Sequence, residues 1–179
     1  MKKILPTLIS LILFFNVNTF ASETLSIEKQ LVGIVGAISG TVKTETRELK
    51  TGDKIYLNET IVAGAGSGTQ ILLLDQSTFT IGEDSEVVMD TFIYDPKTND
   101  GKIVASVKQG SLKVISGLIS KKNPDALTVE VPEGTLGSRG TEFQTIVSKG
   151  KTDTLLIGPG KNNTLGMRPG AVLVGNSLG

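Results

Sequence analysis

Five groups of residues in this chain combine types and spacings that could do chemistry. Asp53 and Asp75 are short carboxylates beside turn residues. Two facing carboxylates can act as general acid and base or as glycosidase machinery. Nothing in the spacing brings these two together, so each reads as a side chain that caps its own turn. Asp95, Asn99 and Asp100 resemble a calcium loop only in composition. An EF-hand loop needs oxygen ligands at positions one, three and five and glycine at six. Counted from Asp95, the third position is Lys97 and Gly101 falls one place late, so the stretch reads as a hairpin tip. Glu83, Asp84 and Glu86 form a further acidic group that reads as a solvated strand edge.

Residues 64–68 read Gly-Ala-Gly-Ser-Gly, which suggests a phosphate-binding loop. Such a loop must open a helix whose N-terminal dipole meets the phosphate, whereas Thr69-Gln70-Ile71-Leu72 continues as a strand. The last stretch, residues 134–143, reads Gly-Thr-Leu-Gly-Ser-Arg-Gly-Thr-Glu-Phe. It is read as a glycine-punctuated turn with Arg139 at its tip, running into a strand. Gly137 and Gly140 permit tight backbone geometry, and the planar guanidinium can fork onto a carboxylate. Arg139 and Glu142 are therefore the partner-binding candidates. The competing role for Arg139 is an internal ion pair that pins the turn. Gly52, Asp53, Asp75, Gly137 and Gly140 are read as structural turn residues. The chain contains no His and no Cys. That removes zinc sites of the usual kind and His- or Cys-based nucleophiles, so no catalytic residue, metal or cofactor is expected.

The elements that must position these residues are short strands. After Gln30, apolar runs recur at residues 31–35, 38–42, 61–62, 71–74, 79–81, 87–93, 103–107, 112–115, 127–131, 143–147, 155–157 and 171–174. Several alternate with period two, as in Leu127-Thr128-Val129-Glu130-Val131, which places one face inward and the other in water. Turn residues separate them, and glycine recurs at Gly40, Gly110, Gly134 and Gly166. Helical periodicity is nearly absent; residues 22–30 and 117–122 are the two candidate helical turns. The expected fold is all-β, with short stacked strands in a β-solenoid-like arrangement or, alternatively, a β-sandwich. With 4% aromatic residues and no Trp, the core must be aliphatic.

The N-terminus reads as an export signal. Lys2 and Lys3 precede an apolar stretch over residues 4–15, and Thr19-Phe20-Ala21 presents small residues where a signal peptidase cuts. The expected organisation is a signal peptide at 1–21, a lead segment at 22–31 and one domain at 32–179. Cleavage leaves 158 residues with 16 basic and 18 acidic side chains, from 18 of each before removal of Lys2 and Lys3. This near-neutral net charge argues against nucleic acid as a partner and against electrostatic attachment to anionic membranes.

The order of short motifs is similar to that of FecR-type periplasmic domains. Residues 49–55 resemble the family's L-x-x-G-D-x-I element, and residues 60–68 its T-x-x-x-G-x-x-S step. Residues 74–82 resemble its D-G-S-x-L-x-L-G strand pair, with Gln76 where glycine is usual. Gly110 and Leu112 fit its G-x-L strand, and residues 134–143 resemble its G-T-x-G-x-R-G-T-x-F signature. The resemblance runs from about Val32 to Gly175. It implies an exported, periplasmic, non-enzymatic module for protein binding, envelope sensing or assembly. Its partner would be an envelope protein, whether in the outer membrane or a second copy of the chain. Membrane-spanning members pass signals to a cytoplasmic sigma factor through a segment before the membrane helix. Only three residues precede the apolar stretch here, so a stand-alone domain is expected instead. The alternatives are a structural or carbohydrate-associated surface protein and a hydrolase using paired carboxylates.

Overall fold

The computed structural model describes residues 29–139, 142–158 and 170–176. The expected signal peptide, most of the lead segment, Gly140 and Gly166 lie outside them. The described chain is all-β, as its period-two patterning dictates. Thirteen strands form one curled sheet. They are β1 (Leu31–Ser39), β2 (Val42–Lys43), β3 (Lys54–Tyr56), β4 (Thr60–Ala63), β5 (Gly68–Leu73), β6 (Thr78–Ile81) and β7 (Ser85–Asp95). After them come β8 (Asp100–Ile115), β9 (Leu127–Val131), β10 (Gly134–Arg139), β11 (Glu142–Ser148), β12 (Lys151–Leu156) and β13 (Ala171–Gly175). Among the described residues a single short helix, α1 (Leu118–Lys122), falls where a helical turn is expected.

The sheet divides into two ladders that share β8. One runs β12-β11-β8-β6-β5-β1-β3, using the C-terminal half of β8. The other runs β2-β4-β7-β8-β9-β10-β13, using its N-terminal half. All pairings are antiparallel except β8 with β9. The sheet thus stacks short strands mainly as antiparallel neighbours. Buried residues line up across each ladder. Val35, Ile71, Phe79, Val114 and Phe143 oppose one another in sequence across the first. Met89, Ala105, Val129 and Leu136 do so across the second. Both rows belong to one hydrophobic cluster, mostly aliphatic but holding Phe79, Phe92 and Phe143 as well. Truncating a side chain such as Phe143 there removes its contacts and leaves a void, at a cost of about 3–5 kcal/mol.

Two apolar runs expected as separate strands, at 103–107 and 112–115, are one strand, β8. Gly110, read as a turn residue, sits inside it at φ +82°. The positive φ bends the strand from one ladder into the other without breaking it. A bulge between Glu86 and Val87 in the β7–β8 register accompanies the bend. Ser85, fully buried, locks the crossing. Its Oγ accepts from the Ser111 N–H at 2.8 Å and donates to the Glu83 carbonyl at 3.0 Å. A Cβ at position 110 would overlap the Ser85 backbone, so both the conformation and the space demand glycine. Gly110→Ala is expected to destabilise the fold by at least about 2 kcal/mol. Thermal unfolding followed by circular dichroism checks this, with a fall in Tm of several degrees expected.

Candidate interaction surface

The turn carboxylates do structural work. Gly52 sits at φ +90°, and Asp53 accepts the Lys50 N–H at 2.8 Å, closing the turn before β3. Asp75 is fully buried and organises more. Its Oδ1 accepts from the Ser77 N–H at 3.0 Å. Its Oδ2 accepts from the Ser77 hydroxyl at 2.8 Å and the Ile119 N–H at 3.4 Å. Ser77 Oγ in turn accepts the Gly117 N–H at 2.9 Å. One carboxylate therefore fixes both the β5–β6 turn, where Gln76 adopts φ +69°, and the start of α1 some forty residues away. Asp53 and Asp75 belong to different turns.

The Asp95 hairpin behaves as expected. Asp95 Oδ1 accepts the Lys97 N–H at 2.9 Å, and Oδ2 accepts the Thr98 hydroxyl at 3.0 Å. Lys122 reaches across to Asp100 at 2.7 Å. Hydrogen bonding from Lys122, then from Thr98, holds the Asp100 carboxyl below the usual carboxylate range. Glu45, likewise, is held low first by the Thr60 side chain. Among the described residues, no group of three or more His, Cys, Asp or Glu side chains could hold a metal ion.

The glycine-punctuated stretch differs from its expected form. Residues Gly134–Arg139 are a strand, β10, and not a turn. Gly137, expected in a turn, lies within it opposite Thr128 on β9 and Leu173 on β13. The strand holds despite its glycines because ladders on both sides satisfy its backbone, and Leu136 is buried in the core. The intervening turn is Pro132-Glu133, between Val131 and Gly134.

Arg139, at the end of β10, donates from Nε to Asp125 Oδ1 at 2.7 Å and from Nη2 to Oδ2 at 3.4 Å. The side chains are 50% and 62% exposed, and an open pair of this kind contributes roughly 0.2–1 kcal/mol. The guanidinium can exchange this carboxylate for another at little cost. Glu142, opening β11, meets Lys113 of β8 at 2.6 Å. The two candidate residues thus stand on successive strands, each with an acid or base from a neighbouring element.

Between β12 and the β10–β13 pair lies a groove of about 360 Å³, lined by Val131, Glu133, Leu136, Thr152, Thr154 and Val174. The Thr152 hydroxyl donates to Glu133 across it. On the other side of the Pro132-Glu133 turn is a second groove of about 440 Å³, where Asp84 and Glu133 approach with Lys108 and Lys149. Both carboxylates there are exposed.

The edges of the sheet are treated unequally. At β3, the Arg47 guanidinium donates to the Lys54 carbonyl at 2.5 Å. Glu59 accepts the Tyr56 N–H at 3.0 Å, and Arg47 and Glu59 pair at 2.8 Å. This clamp occupies backbone groups that another strand would need. At β2, the chain folds back on itself: Leu49 N–H donates to the Val42 carbonyl at 2.8 Å, and Lys43 bridges Glu48. Among the described residues, no clamp of this kind lies along β12 or β13. Those edges instead carry the most exposed large aliphatic side chains, Leu155 at 64% and Val174 at 74%. Sequence reasoning missed the clamp, because Arg47 and Glu59 lie twelve residues apart in loops with no shared periodicity.

The profile of the FecR protein family matches residues 59–157, from the start of β4 past the end of β12 and over more than half of the chain. The chain belongs to the FecR family, a family associated with the cell envelope. No curated protein and no solved structure matches it significantly. Among the described residues, no helix is long and apolar enough to cross a membrane.

Two expectations follow. Asp75→Ala strands the Ser77 and Ile119 donors in the interior and should cost about 3 kcal/mol, while Asp75→Asn keeps one acceptor and costs less; urea unfolding measures both. Asp100 has a depressed folded-state pKa, so its contribution is present above the ordinary carboxylate value of about 3.9 and is lost as pH falls through the lower folded value. Lys122→Ala should raise the Asp100 midpoint toward that ordinary value in a carboxyl-detected NMR titration. An unmoved midpoint would remove Lys122 as the cause.

Proposed function

We propose that this chain is an exported, non-enzymatic FecR-family module that binds proteins in the periplasm, for envelope sensing or assembly. Its contact surface is the C-terminal flank formed by β10 to β13, with Arg139 and Glu142 at one end and Glu133 at the other. The observation that carries this reading is the unequal treatment of the edges. Clamps and a folded-back loop close β2 and β3, whereas the flank leaves aliphatic side chains and an open groove in water. Arg139 and Glu142 supply exchangeable charges beside that apolar surface, the combination found at protein interfaces. Family membership and the signal-like N-terminus support the compartment.

The alternative of a glycan-facing spacer has less support. Sugar rings are held on exposed aromatic faces. The two tyrosines are engaged elsewhere, Tyr56 beneath Lys29 and Arg47 and Tyr94 against Phe92 and Asn99.

Amine-reactive crosslinking in intact cells, followed by mass spectrometry, tests the reading. Crosslinks to one dominant envelope protein should concentrate at Lys149 and Lys151, not at Lys29, Lys50 or Lys54. Arg139→Ala should lower the yield about three- to tenfold, the loss of one interfacial ion pair, with the fold intact. Crosslinks spread evenly over all lysines and indifferent to Arg139→Ala would overturn it.

A further inference from the structure

The outer face of the first ladder leaves an apolar row in water. Lys54, Ile34, Leu72, Thr78, Ile115 and Glu142 oppose one another in sequence across β3, β1, β5, β6, β8 and β11. Ile34, Leu72 and Ile115 are 41%, 39% and 41% exposed, and Leu74, two residues beyond Leu72 on the same face, is 47% exposed. The next row of that face is polar apart from Ala37, with Gln70, Thr80, Lys113 and Gln144 following it across the strands. The outer face of the second ladder sets Glu86 against Gln109 and Glu130 against Thr135. Aliphatic side chains are thus gathered in one strip with a polar margin, the layout of an interface core and its rim.

We propose that this row is the interface of a two-fold dimer, in which a second copy of the chain lays the same face against it. The two sheets pack face to face, about 10 Å apart, with the axis between β5 and β6 and parallel to the strands. That axis reverses the row. Ile34 of each copy then meets Ile115 of the other, and Leu72 meets Thr78, so at the centre a large side chain fills the space above a small one. The Leu74 side chains of the two copies meet beside the axis. An axis perpendicular to the strands would instead set Leu72 on Leu72 and Thr78 on Thr78, a clash beside a void. Six strands of each copy overlap, a span of about 25 Å, so the contact does not rest on one short edge. The charged ends, Lys54 and the Glu142–Lys113 pair, fall at the margin, and the attraction does not depend on them. β12 lies beyond the overlap and β13 lies in the other ladder, so the flank stays open to its own partner. The dimer goes beyond the reading of that flank and does not rest on it.

The test is sedimentation equilibrium of the purified exported chain over about 1–100 μM, the range in which small specific interfaces associate. The wild type should dimerise. I34E and I115K each place two charges in the apolar strip and should weaken the dimer at least about tenfold. Within one copy the two positions are three strand spacings apart, about 14 Å, so the introduced charges do not pair there. Across the axis they meet, and the I34E/I115K double variant should recover the dimer. Matching circular dichroism melts verify that each variant folds. Thiol crosslinking reads the same register without adding charge, since the chain has no cysteine of its own. With a short bismaleimide, I34C chains mixed with I115C chains should link into dimers, and either variant alone should not. A wild type that is monomeric throughout the range, single variants that leave the dimer unmoved, a double variant that does not recover it, or I34C linking to itself overturns the proposal. The reading of the flank is tested separately, by the crosslinks at Lys149 and Lys151.

Discussion

The crossing of β8 from one ladder to the other is the constraint on which this architecture depends. β8 is the one strand that belongs to both ladders, and its two halves pair with β7 and β9 on one side and with β6 and β11 on the other. The bend concentrates at Gly110, where the backbone takes a conformation that side-chain-bearing residues resist and where Ser85 fills the space a Cβ would occupy. A strand that ended there would leave two half-sheets with separate cores. Because it continues, the buried faces curl around one cluster, filled mainly by aliphatic side chains together with Phe79, Phe92 and Phe143. The Asp75 carboxylate does related work at longer range, since the helical turn after β8 is tied to the β5–β6 turn through buried hydrogen bonds, which are costly to leave unmade.

Much of this was legible in the sequence, and the parts that were not share a cause. Strands such as β9, Leu127–Val131, alternate cleanly and declare their own buried face. The Asp95 hairpin and the helical turn at Leu118–Lys122 are equally local, because the residues that make them are neighbours in the chain. β10 declares nothing: glycine and small residues look like a turn until β9 and the distant β13 supply hydrogen bonds on either side. Gly110 misleads for the same reason, since a glycine that bends a strand and a glycine that ends one have the same local signature. The candidate residues followed the pattern. Arg139 was identifiable as a forked donor by type, but that its acid is Asp125 depends on the return of β10 alongside β9.

The flank gains its meaning from what the rest of the sheet does. Exposed aliphatic side chains are ordinary on protein surfaces and need no explanation singly. Their position at two edges where no clamp lies among the described residues is informative because the other two edges are closed by specific interactions. The Arg47–Glu59 clamp fixes two long side chains and draws Glu59 into the interior, which costs conformational entropy and desolvation. A clamp of that cost is consistent with selection against strand addition at β3. Among the described residues no clamp of this kind lies along β12 or β13, and that contrast supports the proposed contact surface.

Charge then separates a useful edge from a hazardous one. A long, flat, uncharged edge accepts any strand and invites aggregation. The outward face of β12 alternates Lys151, Asp153 and Leu155, so any strand that adds to it must answer two opposite charges in a fixed order. Register and partner choice are therefore set by the same two residues. Affinity can remain modest, because open ion pairs contribute little.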